Sequence, residues 1–126
     1  MRILPLALAA TVVLAGCSSL PSAKSLAEAG NWEQLGTQDG QQGIDQRRPA
    51  QLSELAPANN QAVTQYRAGY RNGIQEFCTE DNAFSAGLSG RTYNGQCSFS
   101  PNEEALRINW ENGLEEYYVL QEEMED

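Results

Sequence analysis

Residues 66–77 read YRAGYRNGIQEF, and this stretch decides the fold. Its large apolar side chains recur three or four positions apart, and its two glycines, Gly69 and Gly73, are separated by four. Residues with that spacing share one face of an α-helix, so the pattern predicts a helix from Asn60 to Cys78. The buried face of this helix would carry Val63, Tyr66, Tyr70, Ile74 and Phe77.

An aromatic residue precedes a glycine by three or four positions in two further segments, at Trp32 with Gly36 and at Trp110 with Gly113. A glycine inside a helix costs roughly 0.5 to 1 kcal/mol relative to alanine, so several together need compensation. We expect the compensation to be close helix packing, with a ring from the facing helix settling into the notch that each glycine leaves. The alternative is that some glycines, notably Gly40 and Gly43, mark helix ends.

The other predicted elements follow from turn and capping residues. A first helix would run from Trp32 to about Ile44, and residues 45–58 would form a loop with a short helical turn near Leu52 to Leu55. Residues 80–96 are rich in Gly, Ser and Asn, and are expected to form a compact loop with one helical turn near Ala83. Ser100, Pro101 and Glu103 have the order of a capping box and would start the last helix. The sequence therefore predicts a mainly α fold, a small bundle of about three helices with a Gly-rich loop.

The chain has three cysteines, Cys17, Cys78 and Cys97. Cys17 directly follows a predicted secretory signal peptide, described below, which leaves Cys78 and Cys97 as an even pair. In an exported protein such a pair favours a disulfide, so we expect these two cysteines to close the Gly-rich loop. The alternative is a two-thiolate metal or redox site. The chain contains neither a histidine nor a CxxC pair to complete such a site, and we predict no metal centre.

The first 16 residues are typical of a secretory signal peptide. Arg2 supplies a positive charge, and the next 14 residues carry none and are mostly apolar. A helix needs roughly 20 apolar residues to cross a bilayer, so a permanent transmembrane helix is disfavoured. The run ends in Leu14-Ala15-Gly16-Cys17, which resembles the lipobox of bacterial lipoproteins. The alternative is an ordinary signal peptide followed by an unrelated cysteine.

The lipobox resemblance implies a diacylglyceryl group and an N-acyl chain, typically palmitate, on Cys17. It also implies an outer-membrane anchor facing the periplasm, because Ser18 follows the cysteine. Residues 17–30 would then be the lipidated amino terminus and a tether, and residues 31–126 a single helical domain. Removing 16 of the 126 residues, with Arg2 among them, leaves 110 residues with seven basic and 17 acidic side chains, a net charge of −10. Such a surface repels nucleic acid and anionic lipid heads.

The sequence offers little catalytic chemistry. Without histidine it lacks the most common general base and the Ser-His and Cys-His nucleophile pairs. Asp39, between glycines, could be a buried acid or a ligand, but a surface or capping role is favoured. We therefore predict that the protein is not an enzyme and needs no cofactor beyond its covalent lipid.

Two functions remain open. The leading one is a non-catalytic accessory that binds another envelope protein. The alternative is a module that binds a small molecule or a peptidoglycan fragment in a groove lined by aromatic residues, namely Trp32, Tyr66, Tyr70, Tyr93 and Trp110. Core packing is the competing role for those rings.

The spacing of glycines, aromatic residues and cysteines from Trp32 to Cys97 resembles a family of short Gram-negative lipoproteins that carry domain of unknown function 2799. The resemblance rests on Trp32-x3-Gly36-x2-Asp39-Gly40, on Tyr66-x2-Gly69-Tyr70-x2-Gly73 and on Tyr93-x3-Cys97. It implies a lipidated, helical envelope protein and brings no activity with it. Related proteins often have a histidine or a further cysteine before the second helix, and this chain has neither there.

Overall fold

A computed structural model describes residues 19–126, which contain six helices and no β-strand. In chain order these are α1 Ala23–Glu28, α2 Trp32–Gln41, α3 Pro49–Leu55, α4 Asn60–Phe77, α5 Glu80–Leu88 and α6 Glu103–Glu125. The mainly α prediction is confirmed, although these residues form six helices where about three were expected. No helix in the described range is long and apolar enough to cross a bilayer. The signal peptide and Cys17 lie outside that range.

Side-chain caps explain where the central helices begin. Asn59 accepts a hydrogen bond from the backbone N–H of Ala62 at 2.9 Å, so α4 starts at the predicted residue. Thr79 accepts one from the backbone N–H of Asn82 at 3.3 Å and starts α5. Each bond satisfies one of the amide groups that a helix amino terminus leaves without a partner. The segment predicted as a loop with one helical turn therefore opens with a helix of nine residues.

Two predicted helix boundaries were wrong. α2 ends at Gln41 because Gly43 has a positive φ of 67°, a left-handed conformation that stops a helix. Gly40 lies inside α2, so only Gly43 marks the end. α6 starts at Glu103, and no side chain caps it. The backbone forms consecutive tight turns through Ser100 to that point, so the predicted serine cap does not form.

The glycines of α2 and α4 bring the two helix backbones into direct contact. A Cβ atom placed on Gly36 would lie 2.7 Å from the backbone nitrogen of Tyr70, and one on Gly40 would lie 2.5 Å from that of Ile74. Contacts advance along both helices together, so α2 and α4 run parallel. The predicted close approach of the helices is correct. The prediction that aromatic rings occupy the notches at the helical glycines is wrong, because backbone atoms of the facing helix lie there.

Helices α5 and α6 form a second pair in which glycines allow the two backbones to touch. A Cβ atom on Gly87 of α5 would lie 2.6 Å from the backbone nitrogen of Leu114, and one on Gly113 of α6 would lie 2.8 Å from that of Leu88. Among the glycines from residue 19 onward, aromatic rings fill the space only at two turns, where Phe77 lies against Gly43 and Tyr117 against Gly90. Small residues at a helix interface allow this approach and replace side-chain packing with dispersion and weak Cα–H···O contacts.

The two pairs are joined at the end of α4. The Cys78–Cys97 disulfide, with its Cα atoms 5.8 Å apart, confirms the predicted bond and ties this end to the turn that precedes α6. Next to it, the Phe77 and Trp110 rings meet edge to face with centroids 5.9 Å apart. Closing a loop of this size contributes about 3 kcal/mol in the chain-entropy model, which is substantial for a small domain.

The described part of the predicted tether, residues 19–30, also packs on the domain. It contains α1, where Leu26 and Ala27 are buried with the other core residues. Ser22 caps this short helix through a bond from the backbone N–H of Ser25. The packed region therefore begins before residue 31, and only a few residues separate Cys17 from it.

Candidate functional site

The five aromatic residues predicted to line a groove belong to the core. Trp32, Tyr66, Tyr70 and Trp110 are each at most 6% exposed, and Tyr93 is half-buried. The Trp110 ring packs edge to face on Tyr93, and its Nε1–H donates to the Arg91 carbonyl oxygen at 2.7 Å. These rings do not form an open groove together: Tyr70 borders a cavity beside α4, and Trp32 borders a separate, shallow one at the start of α2.

Asp39 is a buried acid with a structural partner, contrary to the favoured surface or capping role. It is 3% exposed, and its Oδ2 accepts hydrogen bonds from Arg47 Nε at 2.7 Å and from the Tyr66 hydroxyl at 2.8 Å. That hydroxyl in turn accepts the backbone N–H of Arg47 at 3.0 Å. Burial, followed by the nearby carboxylate, raises the pKa of Tyr66, so the phenol stays a donor. This network holds the segment after α2 against α4.

The described residues offer no metal centre, since no three of their His, Cys, Asp and Glu side chains are grouped to hold an ion. Two surface features remain as candidate binding sites. One is the exposed end of α6, and the other is a cleft beside α4.

The end of α6 carries an apolar surface that nothing covers in the described residues. α5 meets α6 around Gly113, and the last tight contact is that of Tyr117 with Gly90. We call the following residues, 118–125, the α6 arm. Its exposed apolar side chains are Tyr118 at 56%, Val119 at 45%, Leu120 at 43% and Met124 at 73%. Leu120 and Met124 continue the helical spacing of the buried Trp110 and Gly113 beyond the end of α5.

The arm is also strongly acidic. Its own acids are Glu122, Glu123 and Glu125, and no basic residue follows Arg107 in the chain. The acids that follow Arg107 are Glu111, Glu115, Glu116, Glu122, Glu123, Glu125 and Asp126. The last six of these carboxylates form no ion pair among the described residues. The arm thus combines apolar side chains with a single sign of charge.

The cleft beside α4 has a volume of about 530 Å³. We call it the α4 cleft. Its floor is the outer face of α4, and its walls are the loop at Asp45 and Gln46 and the turn from Asn94 to Phe99. Two arginines of α4, Arg67 and Arg71, lie on it one helical turn apart.

The acidity of the last helix favoured a protein-binding role from the sequence, but the α4 cleft and the exposure of the α6 arm were not predicted. Arg67 and Arg71 share the polar face of a helix whose apolar face was identified, which made an exposed cationic pair predictable. The sequence could not predict that the α6 arm is exposed, because the apolar stripe of α6 continues unchanged past the point where α5 ends. The burial of Asp39 had no local signal, since its partners Arg47 and Tyr66 are distant in sequence or on another element.

Comparison with known proteins gives one match. The model of a family described as a protein of unknown function, DUF2799, matches residues 31–115. This span contains the Asp39 network, both glycine-packed helix pairs and the α4 cleft, and it ends before the α6 arm. No curated protein and no solved structure matches the chain significantly. Because the match covers more than half of the chain, the protein belongs to the DUF2799 family.

Proposed function

We propose that this protein is a lipid-anchored, non-catalytic accessory of the bacterial envelope that binds another protein through its α6 arm. The observation that carries the proposal is the arm itself, a helical extension with four exposed apolar side chains and only acidic charges. Leu120 and Met124 share one face of this helix, and an exposed apolar patch on a small domain typically marks an interaction site.

The charge of the arm selects the chemistry of the partner. A second copy of the arm would bring acid against acid, and an anionic bilayer surface would repel it in the same way. A surface with an apolar groove and a basic rim would accept the apolar stripe and pair with the flanking carboxylates, as in helix-in-groove recognition. We therefore assign the arm to a basic surface on a different protein.

The anchor limits where that partner can be. α1 is capped by Ser22, five residues after Cys17, and an extended chain spans at most about 3.6 Å per residue. With lipid on Cys17, the folded domain begins within about 18 Å of the membrane surface. The partner would accordingly be a membrane protein or a protein held close to the outer membrane on its periplasmic side.

The anchor is tested by replacing Cys17 with alanine in the full chain. We expect the wild-type protein to incorporate a palmitate analogue and to fractionate with membranes, because two or three acyl chains hold a protein in a bilayer. The variant should lose the label entirely and accumulate outside the membrane fraction. A variant that remains labelled would contradict lipidation at Cys17.

The arm is tested by photo-crosslinking in cells, with the photoreactive residue at Gln121, which follows Leu120 and lies one helical turn before Met124. We expect one discrete adduct, lost at least several-fold when Leu120 and Met124 are both changed to serine. Both side chains are exposed, so this change should leave the folded state intact. The matched control is Ile108→Ser, an exposed apolar residue of α6 outside the arm, which should leave the adduct unchanged.

Two further observations decide whether the adduct reports the proposed surface. In isolated membranes its yield should fall as salt is raised from about 50 to 500 mM, because exposed charge pairing is screened. The captured protein should carry a basic surface at the crosslinked position. Absence of any adduct from the arm, or equal adducts when the photoreactive residue is moved to Gln61 on α4, would overturn the proposal.

A further inference from the structure

The α4 cleft has fixed walls. The Tyr70 hydroxyl donates to the Ile44 carbonyl oxygen at 2.6 Å and holds the loop at Asp45 against α4. Burial, followed by the nearby acids Asp45 and Asp39, raises the pKa of Tyr70 to about 12, so this donor persists at neutral pH. The opposite wall is held by the disulfide at Cys97. The cleft is therefore part of the folded framework and is not a gap between mobile segments.

The two walls are also joined to each other. The side-chain amide of Asn94 donates to Asp45 Oδ2 at 3.0 Å, across 49 residues of sequence. This bond leaves Asp45 Oδ1 without a hydrogen-bond partner in the described range. The carboxylate is exposed and lines the cleft, so it can accept a cationic group there.

The cationic side of the cleft is formed by Arg67 and Arg71. The ion pairs of the described residues use Lys24, Arg47 and Arg107. Arg91 donates to the Gln42 carbonyl oxygen and its guanidinium lies over the Phe77 ring. Arg67 and Arg71 have no carboxylate within 4.0 Å in the same part of the chain, although the protein has 17 acidic residues. Both therefore retain their donors for an anionic group from outside.

The other residues that line the cleft can form the polar and apolar contacts that a bound peptide needs. Side-chain amides from Gln46, Gln75 and Gln96 can pair with peptide N–H and C=O groups. The exposed Phe99 ring and the edge of Ile74 provide apolar contact. A volume of about 530 Å³ lies within the usual range for small-ligand pockets of roughly 300 to 1,000 Å³.

We propose that the α4 cleft binds a short peptide with a free carboxylate and a free amino group. The carboxylate pairs with Arg67 and Arg71, the amino group with Asp45, and the backbone amides with the glutamines. A simple inorganic anion satisfies this site less well, because it meets the repulsion of Asp45 and leaves the amides without partners. This site is separate from the α6 arm and goes beyond the protein-binding role.

The test uses the full chain in detergent micelles and the probe tri-alanine with both termini free. We expect saturable shifts of the side-chain amide signals of Gln75, Asn94 and Gln96 in ¹H–¹⁵N spectra, with a Kd below about 1 mM for a ligand of this size. Amidation of the probe's carboxylate should weaken binding at least tenfold, because a charge-assisted pair with arginine is lost. N-acetylation should weaken it several-fold through Asp45.

Variants distinguish this site from general electrostatic attraction. Changing both arginines, Arg67→Gln with Arg71→Gln, should abolish the shifts while the indole signals of buried Trp32 and Trp110 report an intact fold. The matched control, Lys24→Gln with Arg48→Gln, removes the same charge from exposed positions outside the cleft and should bind as the wild type does. Absence of saturable shifts, equal shifts with acetate or phosphate, or equal loss in the control would overturn the proposal.

Discussion

Changing Gly69 to alanine is expected to destabilise the fold by at least about 3 kcal/mol, although alanine is the better helix former. The new methyl group would clash with the Glu33 carbonyl oxygen and would lie 2.9 Å from the backbone nitrogen of Thr37. Both atoms belong to the backbone of α2 and cannot rotate away, so α2 and α4 must separate. Helix propensity returns at most about 1 kcal/mol. Overpacking against side chains that can shift costs about 1 to 3 kcal/mol, and a clash with fixed backbone atoms exceeds that range.

The separation of α2 from α4 would spread to the neighbouring glycines. Gly36, Gly40 and Gly73 make the same backbone contacts along the pair, so one displaced contact loosens all four. A loss of about 3 kcal/mol is a large part of the 5 to 15 kcal/mol that stabilises a domain of this size. It should lower the melting temperature by more than 10 °C.

Urea unfolding followed by tryptophan fluorescence measures this effect, since Trp32 and Trp110 are both buried. The matched control is Gly30→Ala, where no atom lies within 4 Å of the added Cβ and φ is +75°. That variant should lose only about 1 to 2 kcal/mol, the cost of a left-handed alanine. If Gly69→Ala were as stable as the wild type, the close backbone packing of α2 on α4 would be wrong.

Changing Asp39 to asparagine is expected to cost about 3 kcal/mol. The amide keeps the shape of the carboxylate but removes the charge that Arg47 contacts through two hydrogen bonds. It can also place an N–H group against the Tyr66 hydroxyl, which already donates toward this position. Breaking a buried ion pair by removing one partner typically costs about 3 to 5 kcal/mol. The Arg47 side chain is 27% exposed, which favours the lower end of that range.

The control is Glu111→Gln, which breaks the exposed Arg107–Glu111 pair on α6 and should change stability immeasurably. The double variant Asp39→Asn with Arg47→Gln should recover part of the loss, because no charge is then left without a partner. A melting temperature equal to that of the wild type for Asp39→Asn would show that the network contributes nothing to stability.

Periodicity and capping residues were sufficient for α4, whose start at Asn60 and buried stripe follow from the sequence. The same signals identified α3 and α6 as elements, and the number of cysteines together with the predicted export paired Cys78 with Cys97. They failed at Ser100, because its capping pattern competes with the tight turns that follow Cys97. They also failed for residues 23–28, whose small side chains suggested a tether. The burial of Leu26 and Ala27 depends on helices elsewhere in the chain, so it has no local signal.

The sequence by itself determined which face of each long helix is apolar, that histidine chemistry is absent, and which two cysteines join. Only the tertiary structure decided what meets those faces. A glycine creates a notch that a ring or a facing backbone can fill, and the choice depends on the distance between two helices, which neither helix encodes alone. For the same reason, the stripe of α6 is buried at Trp110 and exposed at Met124: the side chains continue the pattern, but α5 ends, and burial needs a partner as well as a pattern.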